Sequence, residues 1–218
     1  MANRRIAGRQ MTGVAGLAAV ILFGTGNALW AFEQPGAGAP ARVIVAFYTS
    51  TSGRIVAGAS LSLIGAAMFV LFASGAHTIL REHDDDDLLA GTAFGGALLV
   101  AATGLGAETI NMAGAVRAGD GQLTRGLAQA LFEISYALGY NAAGVGIGIL
   151  IGATAAIALR ARAILPRWLA LLLLVVGVAF LTPLCRILLG PSVLLLAIAS
   201  AMLLRHPPAA SAGGKASV

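Results

Sequence analysis

The feature that most constrains this chain is the spacing of its charges, which cut it into long uncharged apolar runs. A hydrocarbon core about 30 Å thick is crossed by roughly 20 helical residues at 1.5 Å each. Six runs approach or exceed that length: Met11 to Phe32, about Ile55 to Gly75, Leu88 to Glu108, about Ala128 to Leu159, Trp168 to Leu189, and Pro191 to Leu204. The expectation is an all-α, polytopic transmembrane bundle of six spans forming one domain over residues 11–205. A short segment, residues 1–10, precedes it, and a Pro/Ala/Ser/Gly tail over residues 206–218 reads as disordered.

Composition agrees. Hydrophobic residues make up 58% of the chain and charged ones 11%, with a mean hydropathy of +0.89, against about 45–50% and 25% in soluble domains. The net charge of +5 does not point to nucleic acid, because the arginines stand singly at the ends of apolar runs rather than in a basic stripe. Cys185, the single cysteine, has no partner for an intrachain disulfide and no neighbour at zinc-ligand spacing.

Arg4, Arg5 and Arg9 before the first run resemble a secretory signal, but the apolar stretch is longer than a signal core and lacks a convincing cleavage site. It reads as a retained anchor helix, and the flanks of the arginine pair give a twin-arginine export signal no support. Cationic loops stay on the cytoplasmic side. With the N-terminus inside, Arg4, Arg5, Arg9, Arg81, Arg160, Arg162, Arg167, Arg205 and Lys215 lie inside, and Arg42, Arg54, Arg117, Arg125 and Arg186 outside. That imbalance places both termini in the cytoplasm and the protein in the plasma membrane.

Between the first two runs, Val43, Ile44, Phe47 and Tyr48 repeat at helical spacing and predict a short amphipathic outer helix on the membrane surface. Gly190-Pro191-Ser192 predicts a tight hairpin between the last two spans.

Charged groups near hydrocarbon cost at least about 2.5 kcal/mol each, so they tend to face the bundle interior or mark a functional pathway. Glu108, Glu133 and Arg186 fall at the outer ends of their spans in this topology. Glu133, Tyr136, Tyr140 and Asn141 share a face of the fourth helix, and Glu108 and Asn111 share one of the third. Together these seven residues form a candidate polar binding pocket open to the outside. The bland alternative has both glutamates hydrated and Arg186 reaching for the headgroups.

Gly144, Gly148 and Gly152, and the pair Gly91 and Gly95, carry the small-residue spacing that lets helices pack closely, within the chain or against a partner helix or second copy. The run from Asp84 to Asp87 after His83 reads as a solvated helix cap rather than a metal site, since consecutive residues radiate in different directions. No catalytic triad, metal motif or cofactor fingerprint is present. The alternatives to ligand binding or transport are an intramembrane enzyme using Glu108 or Glu133 as general acid or base, and a non-catalytic accessory subunit.

Ile164-Leu165-Pro166-Arg167-Trp168-Leu169 leading into an apolar stretch with Gly177, together with Ile79-Leu80-Arg81 closing the second run, resembles a family of bacterial six-helix membrane proteins classed only as a domain of unknown function. The resemblance implies a six-helix layout over most of the chain. It carries no activity, cofactor or site residue.

Overall fold

The computed structural model describes the backbone of residues 2–85, 87–161, 166–182 and 185–205; side chains are described within those stretches except at 2–6, 185–191, 202, 203 and 205. Among these residues there is no strand. Six helical runs make up the fold: α1 (Ala2–Ala28), α2 (Ala41–Arg81), α3 (Leu88–Gly119), α4 (Arg125–Arg160), α5 (Arg167–Phe180) and α6 (Cys185–Arg205). Four segments are long and apolar enough to cross a membrane: Ala7–Ala28 of α1, and α2, α3 and α4. The chain is therefore a helical protein compatible with a multi-pass bilayer location.

The helices overrun the apolar runs that announce them. At 1.5 Å per residue, the 41 residues of α2 extend about 60 Å and the 32 of α3 about 48 Å, against a hydrocarbon core of about 30 Å. Val43 to Tyr48 are accordingly the first turns of α2, which starts after Pro40, and not a separate surface helix. Ile44, Phe47 and Tyr48 do cover the end of the bundle, but as part of that continuous rod. The α3 rod stops where Gly121 adopts φ 69°, with Gln122 N–H donating to Arg117 O at 2.8 Å and Gly121 N–H to Ala118 O at 3.1 Å. This is the glycine-closed helix end that leaves few orphan carbonyls.

The expected hairpin at Gly190-Pro191 is also displaced. α6 already runs from Cys185 through both residues, and the chain turns after Phe180 instead. Pro191 is the seventh residue of α6, past the opening N–H groups that lack an intrahelical partner, so its ring removes one backbone hydrogen bond from that helix. At the α2–α3 connection, Arg81 Nε donates to Asp87 Oδ1 at 2.8 Å, and Asp84 Oδ2 accepts from Ala90 N–H at 2.8 Å. Asp84, not Asp87, thus supplies the side-chain cap of α3.

Close packing follows glycines only partly foreseen. Gly96 of α3 and Gly146 of α4 press on each other: a Cβ on Gly96 would meet Gly146 O at 2.8 Å, and the reverse contact is equally short. A Cβ on Gly148 would meet Gly177 O of α5 at 2.8 Å, Gly152 backs onto the same Gly177, and Gly26 of α1 abuts Gly58 of α2. Gly144 is buried. Gly91 and Gly95, by contrast, face open space, with nothing within 4 Å of an added Cβ; the packing glycine of α3 is their neighbour Gly96.

Candidate functional site

Counting about 20 residues, one hydrocarbon thickness, from the loop-proximal ends Arg81, Leu88 and Arg160 reaches Leu61-Ser62 on α2, Glu108 on α3 and Tyr140 on α4. Three independent counts therefore converge on one level, and the candidate polar residues cluster at or beyond it. The structure divides them into two groups that the single expected pocket did not separate.

The first group is a buried seam. Glu108 is 7% exposed and Asn111, one turn on, 5%. Asn111 Oδ1 accepts from the Tyr48 hydroxyl at 3.0 Å, and the Tyr48 ring lies against Gly114, where a Cβ would come within 2.9 Å of it. Ser135 of α4 stands beside the same phenol. Below it, Ser62 of α2 neighbours the Glu108 carboxylate, yet neither Ser62 Oγ nor Glu108 Oε2 reaches a hydrogen-bonding geometry, and Trp30 Nε1, over Gly58, is likewise unpartnered. Buried polar groups are nearly always satisfied, so three orphans at one junction of α1, α2 and α3 ask for an explanation. The other described buried serines and threonines, Thr12, Thr51, Thr103, Ser135 and Ser200, all donate to a carbonyl of the preceding turn. Ser62 does not, and its hydroxyl is left available to the junction.

The second group lines an open cleft of about 160 Å³ bounded by Gly38, Phe132, Glu133, Tyr136 and Asn141. Glu133 is exposed, its Oε1 accepting from Gln129 Nε2 at 2.9 Å. Tyr136 and Tyr140 stack at 4.4 Å, and the Tyr140 hydroxyl donates to Gln34 Oε1 at 3.0 Å. Here α4 changes to a π-helical turn over Ala137–Ala142, a wider turn that recurs at functional positions. The opposite rim is the loop after α1, which Glu33 ties to α2 by accepting from Arg54 Nη1 and Nη2, both at 2.7 Å. The hydrogen bonds from Arg54 hold Glu33 below its ordinary value of 4.5.

Glu108 and Asn111 therefore belong to the seam, and Glu133, Tyr136 and Asn141 to the cleft, with Tyr140 tying the cleft to the loop. The backbone of Arg186 lies in α6, but its side chain is outside the described residues. Sequence reasoning missed Tyr48, Ser62 and Ser135 as members of the seam. Tyr48 was legible only as one apolar position of an amphipathic stretch, and the serines carried no pattern of their own. Among the described residues, no three His, Cys, Asp or Glu side chains gather as metal ligands. His77 instead stacks on Phe94 at 5.1 Å.

The fold and the seam define a helical, multi-pass membrane protein with a polar junction about one hydrocarbon thickness from its Arg81 end. Comparison with protein-family models, with curated proteins and with solved structures finds no match for this chain.

Proposed function

We propose that this is a six-span plasma-membrane protein with cytoplasmic termini that binds, or helps to transport, a small solute, lipid or proton through polar groups in its outer half. α5 and α6 supply the fifth and sixth spans, and the excess of Lys and Arg on one side sets the orientation. The observation that carries the reading is the orphaned Glu108 Oε2, buried beside the orphaned Ser62 hydroxyl. A carboxylate at such a place is costly unless something compensates it, so it marks a position where a proton, a water or the polar head of a ligand is held.

Native mass spectrometry of the gently extracted protein, beside Glu108→Gln and Glu133→Gln, tests this. A small molecule or specific lipid retained by the parent and lost in a variant supports the reading. No retained species, with variant stabilities unchanged, overturns it. One observation favours a second reading, an accessory subunit: Gly91 and Gly95 present a small-residue face to open space, as a docking surface for a partner helix or second copy would require.

A further inference from the structure

We infer that the cleft of Glu133, Tyr136 and Asn141 takes the ammonium head of a small organic amine, an inference that rests on the ligand-binding reading above and names its ligand class. Size comes first. About 160 Å³ is below the roughly 300 Å³ at which pockets begin to enclose drug-sized molecules, so the cleft fits a headgroup rather than a whole ligand.

Charge comes second. The described ion pairs join Arg9 to Glu82, Arg54 to Glu33 and Arg81 to Asp87; among the described residues none uses Glu133. Its carboxylate is nonetheless oriented, because Gln129 Nε2 donates to Oε1, and Glu133 lines the cleft. The walls come third. Phe132 and Tyr136 pack at 5.9 Å and Tyr136 stacks in turn on Tyr140, forming an aromatic ladder beside the carboxylate. A carboxylate beside aromatic rings attracts ammonium groups by its charge, and the rings offer apolar contact to the carbons next to the nitrogen. Asn141, at the far side of the π-helical turn, adds an amide oxygen as acceptor for an N–H.

Depth comes last. The cleft adjoins the level about one hydrocarbon thickness from Arg160, where lipid headgroups lie. An amine there can come from a phospholipid head or from free solute, and the chemistry of recognition is the same.

The test uses the full chain in nanodiscs of phosphatidylglycerol, with and without phosphatidylethanolamine, and titrates tetramethylammonium and ethanolamine into the first. Parent protein is expected to bind an amine, and Glu133→Gln to weaken it at least about tenfold, the loss expected for one charged contact. Thermal melting should be unchanged because the residue is exposed. Asp120→Asn, which alters an exposed carboxylate at the end of α3 outside the cleft, serves as the control and should leave amine binding in place. Selective retention of phosphatidylethanolamine, lost in Glu133→Gln, identifies a lipid source, while binding of the free amines without lipid selection identifies a solute. Absence of amine binding, or binding indifferent to Glu133→Gln, overturns the inference. A different retained species that still depends on Glu108 would leave the broader reading standing; loss of both would remove both.

Discussion

The two ends of this molecule differ in the side chains that hold them together. Toward the Arg81 end, helices meet through small residues, with Gly96 on Gly146 and Gly148 on Gly177 bringing backbone against backbone and five alanines closing around Phe69 and Phe72. Beyond the level of Glu108, the overrunning ends of α2, α3 and α4 enclose Trp30, Ile44, Phe47, Tyr48, Ile55 and Phe132. Phe47 packs edge-on to Phe132 at 6.5 Å and on Tyr48 at 5.4 Å. Each kind of packing suits a different solvent. Between lipid tails an apolar side chain gains little by burial, so association relies on close approach and small residues win. In water, burying a large side chain is worth about 1.5–3 kcal/mol, so aromatics win.

The contrast can be broken most sharply at Phe132, which is 1% exposed. Phe132→Ala is expected to destabilise the aromatic end by about 3–5 kcal/mol, read as a lowered unfolding midpoint in micelles. Equal stability would mean that this end is not a water-driven core. Next is Gly96→Val, whose branched side chain meets the backbone of α4 and cannot be accommodated by a rotamer change; overpacking of this kind costs about 1–3 kcal/mol. Gly91→Val is its control and should leave the monomer unaffected, so a loss at Gly91 would instead reveal a partner on that face.

Tyr48→Phe removes the hydroxyl from Asn111 and leaves a buried amide oxygen without its donor, at about 1–3 kcal/mol. Urea sharpens the comparison without mutation, because it weakens burial in water. Hydrogen exchange at Ala41 to Tyr48 and Arg125 to Phe132 should accelerate at urea concentrations that leave Gly58 to Gly75 protected. Simultaneous loss of protection would erase the distinction.

The smallest effect is that of acid on the loop after α1. Glu33 is held below its ordinary 4.5 by Arg54, so the pair contributes above that unfolded value and is lost as the pH falls through the lower folded one. Exchange in residues 32–38 should rise as the solution is acidified below about 4.5, and Glu33→Gln should abolish that dependence. Both partners are exposed, so the effect on global stability is small.

The class of fold was legible without coordinates because hydrophobic length is a one-dimensional property: a run such as Leu88 to Glu108 needs no neighbour to be recognised as a span. Helix ends were less legible. Nothing in Ile44, Phe47 and Tyr48 distinguishes a surface helix from the first turns of a longer one, and Gly190-Pro191 stops a helix only if the chain has not already entered the next. Gly96 and Gly91 are the same residue type on one helix, and only the approach of Gly146 separates them.

For the site, the sequence by itself determined which side chains carry the cost of lying near lipid: Glu108, Asn111, Glu133, Tyr136, Tyr140 and Asn141 are conspicuous wherever they pack. Only the tertiary structure decided that Glu108 faces Ser62 inside the bundle while Glu133 opens onto a cleft with Asn141. A helix repeats every 3.6 residues, so sequence spacing ranks residues by face; which face meets a neighbour is set by contacts between helices far apart in the chain.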